Sequence, residues 1–264
     1  MPCTFSHPLA VIPLYCVFRR HLNLTALVIG SMSPDFAYYV SLFSIATFAH
    51  TTAGTLIVCL PTGLMALAIF LKVRQPICFL LPQPHRSALW PLTRDPSFVT
   101  PRSFLAASVS VLVGAWTHTV WDSFTHAAAW PVQRLPLLRE PIFWVGNVEL
   151  HGYYVLQQIS SLVGAVVLAG FYLHWLRQQP KLYSRSTSVQ SESWRYLLIG
   201  LMAVFAVGCA TPFALRVASH YDGYFGFRVF VFRCGVYSAA IFGAAFVGVS
   251  LALASWRRRH EVSR

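Results

Sequence analysis

Histidine and aspartate are the side chains in this sequence whose spacing suggests chemistry. His118, Asp122 and His126 form a His-x3-Asp-x3-His pattern within HTVWDSFTH. On an α-helix, residues four apart differ in direction by about 40°, so the three side chains would share one stripe. Two imidazoles and a carboxylate are ligands that suit zinc, manganese or iron. The spacing is equally compatible with a metal site and with ordinary hydrogen bonds between neighbouring side chains.

Three more ionisable residues lie at the ends or breaks of apolar segments. Asp35 follows Pro34 in GSMSPD, His50 precedes an apolar run, and His7 lies in TFSHP. Ionisable groups at membrane depth are costly and require a reason. Taken singly, Asp35 could be a helix cap, and the two histidines could be interfacial or capping residues. Together they could converge with the HTVWDSFTH block on one site.

Polar residues that follow this block are candidates for a supporting role. Gln157, Gln158 and Ser160 lie early in an apolar segment. They could hydrogen-bond between helices or orient metal ligands. Glu149 and His151 close the preceding loop. A carboxylate there could act as a base or as an extra ligand, and the alternative is an exposed loop end.

The composition indicates the scaffold that must position these groups. Hydrophobic residues make up 56% of the 264-residue chain, charged residues make up 11%, and the mean hydropathy is +0.58. Soluble domains contain about 25% charged residues. A bilayer, in contrast, solvates apolar helix faces. The chain is therefore predicted to be an all-α, polytopic transmembrane helical bundle that forms one domain, residues 1–264, with the lipid bilayer as its partner.

The predicted bundle has five or six spans. Five apolar segments are long enough to cross a hydrocarbon core of about 30 Å: residues 53–71, 103–121, 153–176, 195–215 and 229–256. Residues 8–18 are apolar but too short, and residues 24–47 are interrupted by Ser33-Pro34-Asp35. Broken helices are tolerated at membrane depth only inside protein or beside a polar cavity. This N-terminal segment is expected to be a kinked span or a re-entrant hairpin.

The charge distribution predicts the orientation. The net charge is +12, and basic residues concentrate in loops 72–102 and 177–194 and in the C-terminal tail. Cytoplasmic loops of membrane proteins carry such an excess. Both loops are therefore expected in the cytoplasm, and six spans would place both termini there as well. The absence of a basic helix or an aromatic-basic motif argues against nucleic acid as a partner.

Several motifs resemble one family of bacterial membrane proteins, the domain-of-unknown-function family numbered 4184. The opening M-P-x-T-F-S-H-P, the G-S-M-x-P-D of residues 30–35, the H-T of 50–51, the H-x-x-x-D-S-F-T-H block and Q-Q-x-S-S of 157–161 carry the resemblance. They keep their order over most of the chain. That family is similar to membrane-bound metal-dependent hydrolases of the prophage YdjM type. More distantly, the motif order is similar to the zinc-dependent phospholipase C fold, whose further His and Glu ligands are not all matched here.

The resemblance implies a location, a ligand set and a reaction class. The location is the bacterial inner membrane. The implied ligands of a divalent metal, with zinc preferred over manganese or iron, are His7, Asp35, His50, His118 and Asp122, with His126 close by. The implied activity is metal-dependent hydrolysis, with Asp35 or Asp122 as a ligand or as the base. The resemblance supplies no substrate; a site that opens at the bilayer surface favours a lipid or lipid-linked phosphate or ester. The alternatives are a non-catalytic structural or regulatory membrane protein and a metal or proton transporter.

Overall fold

The computed structural model describes residues 4–94, 100–145, 148–180 and 190–262. Its α-helices are α1 (Pro8–Phe18), α2 (Leu24–Met32), α3 (Phe36–Tyr39), α4 (Phe43–Ala49), α5 (Thr52–Gly54), α6 (Leu60–Leu80), α7 (His85–Leu89), α8 (Pro101–Ser123), α9 (Trp130–Arg134), α10 (Pro136–Arg139), α11 (Gly152–Gln178), α12 (Gln190–Ala218) and α13 (Gly223–Val262). Three short 3-10 helices cover Thr4–Ser6, Ser33–Asp35 and Trp90–Arg94, and a π-helical turn covers Thr55–Cys59. The strands β1 (Pro141–Val145) and β2 (Val148–His151) form an antiparallel hairpin.

Within the described residues, five helices are long and apolar enough to cross a membrane, which confirms the predicted helical bundle. They are Thr52–Leu80, Pro101–Ser123, Gly152–Gln178, Glu192–Ala218 and Gly223–Trp256. Each contains one of the five segments predicted from the sequence. The chain is therefore a multi-pass membrane protein. The cytoplasmic orientation of the loops and termini stays a prediction.

The N-terminal segment is broken where the sequence predicts. Helix α2 ends at Met32, a single 3-10 turn covers Ser33–Asp35, and α3 is only one turn long. Pro34 has no backbone N–H to continue the α-helical ladder, which accounts for the change of helix type. The break leaves Asp35 buried inside protein. This matches the expectation that such a segment avoids lipid.

Several parts of the predicted loops are helical instead, including α7. Helix α6 continues through Pro76 to Leu80, and α12 already begins at Gln190. The composition of these stretches is polar enough to suggest a loop, but helices commonly extend beyond the hydrocarbon core into the headgroup region. Residues 95–99 and 181–189 of the same loops lie outside the described residues. The β-hairpin within the predicted loop 122–152 was not expected from the sequence.

The chain divides into two compact units. The first contains Met1–Ala68 and Pro96–His174, and the second contains Ile69–Asp95 and Trp175–Arg264. All candidate site residues belong to the first unit. In the second, α12 packs against α13, and the Glu192 carboxylate accepts from Arg86 at 2.8 Å and from Arg195 at 3.1 Å. The single domain predicted from composition stays a prediction.

A close helix crossing organises the first unit. A Cβ placed on Gly114 of α8 would lie 2.3 Å from the carbonyl oxygen of Leu27, and one on Gly30 of α2 would lie 2.3 Å from that of Val111. Both glycines are therefore required for the two backbones to touch. Small residues allow this close packing of membrane helices. Asn23, whose side chain caps α2, also donates its N–H to Ser110 Oγ at 2.8 Å.

Because α2 and α8 cross so closely, one methyl group added at the crossing should destabilise the protein. We expect Gly114→Ala to separate α2 from α8 and to lower the thermal stability of the detergent-purified protein, because overpacking costs about 1–3 kcal/mol. The matched control is Gly170→Ala on α11, where an added Cβ would meet no atom within 4 Å. Equal melting temperatures for the two variants would contradict the importance of the crossing.

Candidate metal centre

Five of the predicted ligands converge in the first unit. His7 immediately precedes α1, Asp35 ends the 3-10 turn after α2, His50 follows α4, and His118 and Asp122 lie one turn apart on α8. Four of the five residues are at most 5% exposed. His50 is the exception, with a side chain that is 20% exposed. The convergence expected from residues far apart in sequence is therefore present.

Asp122 lies at the centre of the cluster. Its Oδ2 atom is 3.4 Å from His50 Nε2 and 3.5 Å from His118 Nε2. Its Oδ1 atom faces the other way and is 3.6 Å from His7 Nε2. The imidazole rings of His7 and His118 are stacked, with centroids 3.7 Å apart. One carboxylate thus faces three imidazoles.

Asp35, in the 3-10 turn after α2, faces two of these imidazoles, those of His50 and His118. Its Oδ1 atom is 3.5 Å from His50 Nε2 and 3.7 Å from His118 Nε2. Its Oδ2 atom accepts a hydrogen bond of 2.5 Å from the hydroxyl of Thr4. The Thr4 contact fixes the carboxylate so that one oxygen remains directed at the histidines. Such outer hydrogen bonds commonly orient metal ligands.

Backbone carbonyls fix the protonation of two histidines. His50 Nδ1 lies 2.7 Å from the carbonyl oxygen of Ala46, and His118 Nδ1 lies 2.7 Å from that of Ser31. A carbonyl oxygen can only accept, so each Nδ1 carries a proton. In the neutral rings both Nε2 atoms then carry lone pairs, although they lie only 3.3 Å apart. A cation between them, either a proton or a metal ion, is needed to relieve this repulsion.

The separations match those within a metal coordination shell. The five measured distances among His50 Nε2, His118 Nε2, Asp35 Oδ1 and Asp122 Oδ2 range from 3.3 to 3.7 Å. Tetrahedral ligands about 2.0–2.2 Å from zinc are about 3.3–3.6 Å from one another. Two overlapping triads meet the requirement of ligand atoms within 4.8 Å of each other: His7, Asp35 and His118, and His50, His118 and Asp122.

Several of these atoms are buried without a hydrogen bond. Among the described residues, His7 Nε2, Asp35 Oδ1 and both carboxylate oxygens of Asp122 have no hydrogen-bond partner. Buried polar atoms are normally paired, and unpaired ones call for an unseen water or ion. A divalent cation beside the Nε2 atoms of His50 and His118 would satisfy Asp35 Oδ1 and Asp122 Oδ2. The residues therefore fit a metal ion, and these buried His and Asp groups could hold one.

Comparison with known proteins gives the family. The model of the domain of unknown function DUF4184 matches residues 1–256. The chain belongs to this family. No curated protein and no solved structure matches it.

His126, the third residue of the predicted stripe, is placed differently in this DUF4184 protein. Helix α8 ends at Ser123, so the stripe does not extend to His126. Its Nδ1 donates to the carbonyl oxygen of Asp122 at 2.8 Å and lies 3.7 Å from Asp122 Oδ2. The side chain is 42% exposed, and His126 is in neither triad. It lies at the exposed side of the cluster.

The predicted supporting residues contribute unequally. Gln157 is buried, and its backbone carbonyl accepts from the hydroxyl of Ser160. The Ser160 hydroxyl also accepts from Trp121 Nε1, which ties α11 to α8. Gln158 is exposed. Glu149 is also exposed, and its carboxylate lies 3.8 Å from His151 Nε2, as expected for a loop end.

Sequence reasoning missed four contributors to the site. Two are the backbone carbonyls of Ser31 and Ala46, which no side-chain pattern can identify. Thr4 lies within the T-F-S-H motif, three residues before His7, and could have been considered. Tyr38 follows Asp35 by one turn, and its ring lies 6.2 Å from the His50 ring. Burial and the nearby Asp35 and Asp122 carboxylates raise the pKa of Tyr38 to about 12, so it carries its proton at neutral pH.

The surroundings shift the pKa values of two histidines in opposite directions. Burial, assisted by His118, lowers the pKa of His7 to about 4. Burial also opposes protonation of His50, but its contacts with the Asp122 and Asp35 carboxylates outweigh burial and raise the pKa of His50 to about 10. At neutral pH, His7 is therefore neutral and ready to donate a lone pair. His50 binds a proton at the nitrogen that faces both carboxylates.

The centre predicts metal binding that depends on α8. We expect the detergent-purified protein to bind zinc, manganese or iron stoichiometrically, and His118→Ala and Asp122→Asn to abolish this. Loss of an outer hydrogen bond alone costs about 10–100-fold in metal affinity, so Thr4→Val should weaken binding within that range. Metal content is measured by elemental mass spectrometry.

Matched controls for these variants lie in the second unit. His220 and Asp222 are exposed there, and His220→Ala and Asp222→Asn should retain the full metal content. A wild-type protein without stoichiometric metal would rule out the centre. A loss of metal in the controls would show that the effect is not specific to the cluster.

Proton competition predicts a pH dependence. A metal ion and a proton compete for His50 Nε2, so zinc binding at neutral pH should release about one proton. The raised pKa keeps His50 protonated over the whole range of roughly pH 8 to 6. The apparent affinity for zinc should therefore fall as the pH falls across this range. Proton release is measured with an indicator dye in weakly buffered detergent solution. An affinity independent of pH would contradict the competition.

Proposed function

We propose that this protein is a membrane-bound metal-dependent hydrolase of the bacterial inner membrane that acts on a lipid or lipid-linked phosphate or ester. The observation that carries the proposal is the convergence of three imidazoles and two carboxylates on one buried volume with unpaired ligand atoms. The motif resemblance to hydrolases of the YdjM type supports the same reaction class. The basic loops support an orientation with loops 72–102 and 177–194 and the C-terminal tail in the cytoplasm.

The donor set favours zinc as the cofactor. His50, His118, Asp35 and Asp122 would hold the ion, and His7 Nε2 faces the second oxygen of Asp122. Nitrogen and carboxylate oxygen donors suit zinc, with manganese or iron as alternatives. When bound, such an ion lowers the pKa of a water to about 7 and polarises a phosphoryl or acyl oxygen.

The residues of the chain would divide the remaining tasks. Asp122 uses both oxygens toward imidazoles, so it is best suited to hold the ion. Asp35 has one oxygen fixed by Thr4 and one facing the cluster, which suits it as a ligand or as the base. His126 has its Nδ1 proton engaged with a carbonyl, so its Nε2 carries a lone pair at the exposed side. We assign His126 the transfer of a proton to or from the reacting group.

The position of the centre supports an amphiphilic substrate. Asp122 lies in the last turn of a membrane-spanning helix, and the exposed edges of the site belong to His50 and His126. A group entering from these edges would come from the boundary between the bilayer and water. Phosphates and esters of lipids lie at that boundary, whereas a soluble substrate would have no reason to require it.

An activity assay separates the proposed roles. Metal-loaded protein in mixed micelles should hydrolyse at least one lipid phosphate or ester, and a chelator should stop the reaction until metal is restored. Asp35→Asn should lose most activity. His126→Gln should keep its metal but lose about 10²–10⁴-fold in kcat, the usual contribution of a positioned acid or base. Parallel metal analysis shows which losses arise from an empty centre.

The outcomes distinguish the alternatives. Full metal occupancy without hydrolysis of any phosphate or ester would reject the enzyme and leave a structural or regulatory role. Metal or proton flux into proteoliposomes, abolished by Asp122→Asn, would instead identify a transporter. If His126→Gln also loses its metal, His126 is a ligand, as the sequence pattern originally suggested.

A further inference from the structure

Large apolar side chains are exposed in a part of the chain that does not span the membrane. Between α8 and α11, the side chains of Trp130, Leu137, Phe143 and Trp144 are 70%, 76%, 54% and 62% exposed. Lipid accounts for exposed apolar groups on the five spans, but not for these. Exposed apolar patches outside the hydrocarbon core usually mark an interaction site.

The structure fixes these side chains close to the beginning of a span. The N–H of Gly152, the first residue of α11, donates to the carbonyl oxygen of Glu140 at 3.1 Å. His151 Nδ1 donates to the carbonyl oxygen of Arg139 at 2.7 Å. A Cβ on Gly152 would lie 1.9 Å from the carbonyl oxygen of Leu137. Helix α10 and the β-hairpin are therefore held against the point where α11 begins.

The other end of the segment is fixed at the end of a span. Helix α8 ends at Ser123, and α9 is anchored by Val132, which is 1% exposed. The Gln133 amide also donates to the carbonyl oxygen of Ala127. Both ends of the segment therefore lie at the ends of spans, next to the headgroup region, which extends several ångströms beyond the hydrocarbon core.

The residue types fit this environment. Tryptophan is enriched at membrane–water interfaces because its ring is apolar and its N–H is polar. Arg134 lies over the Trp130 ring, with its guanidinium carbon 5.7 Å from the ring centroid. A long basic side chain of this kind can reach the headgroups while its stem remains in apolar surroundings. Arg139 and Glu140 form an ion pair of 3.3 Å beside the apolar groups.

We infer that residues 130–145 form an interfacial membrane anchor, with Trp130, Leu137, Phe143 and Trp144 inserted into the headgroup region of the bilayer. The segment joins the end of one span to the beginning of the next and carries interface-type Trp and Arg side chains, which favours the bilayer over a protein as the occupant. His126 lies just before this anchor in the chain. If the proposed hydrolase function holds, the anchor also keeps the open side of the metal centre at headgroup level.

Fluorescence quenching tests the anchor without any activity measurement. The 264-residue protein, which contains eight tryptophans, is reconstituted into vesicles of phosphatidylcholine and phosphatidylglycerol. Some vesicles carry bromine near the headgroup end of the acyl chain, and others carry it near the bilayer centre. The contribution of Trp130 or Trp144 is the part of the wild-type emission that is lost in Trp130→Phe or Trp144→Phe. We expect these contributions to be quenched most strongly by the shallow bromine and only weakly by aqueous acrylamide.

A tryptophan within a span provides the matched control. Trp116 of α8 is 45% exposed, and the emission lost in Trp116→Phe should be quenched more by the deep bromine. An unchanged melting temperature shows that each variant is folded. Trp130 and Trp144 emission quenched by acrylamide and not by bromine would overturn the anchor, because the segment would lie in water. Emission protected from both quenchers would also overturn it and would indicate a protein partner, such as a second copy of the chain.

Discussion

The rest of the site depends on one electrostatic constraint: lone pairs of histidine and aspartate are directed at one another in a buried volume. The carbonyls of Ser31 and Ala46 hold the Nδ1 protons of His118 and His50, so in the neutral rings both Nε2 atoms direct a lone pair toward the Asp122 carboxylate until a proton or a metal ion binds there. Lone pairs so close together repel unless a cation lies between them. The protein therefore holds its ligands in place through backbone hydrogen bonds rather than through mutual attraction of the ligands.

The break after α2 and the glycine crossing together make this arrangement possible. Pro34 ends α2 next to the site, and the carbonyl of Ser31 lies in the last turn, where carbonyls become available to outside donors. Gly30 and Gly114 bring α2 close enough to α8 for His118 to reach that carbonyl. Close packing thus sets the position of Asp35 relative to Asp122.

The membrane determines the surroundings of the cluster. Asp122 lies in the last turn of a span, so its carboxylate is at the boundary between hydrocarbon and headgroups rather than at the bilayer centre. Charge is less costly at this depth than at the centre of a bilayer. The 20% exposure of the His50 side chain and the 42% exposure of His126 leave the cluster accessible from one side. The same boundary is where the apolar segment between α8 and α11 is held.

The sequence by itself determined the membrane bundle, because composition and span length depend on the solvent rather than on the arrangement of helices. It also indicated the break at Pro34, and its motifs indicated five ligands. Only the tertiary structure decided which atoms face one another. The His126 stripe extended beyond the end of α8, a boundary that spacing alone does not define. The roles of Thr4 and the Ser31 carbonyl likewise arise from contacts between distant segments, for which local sequence patterns carry no information.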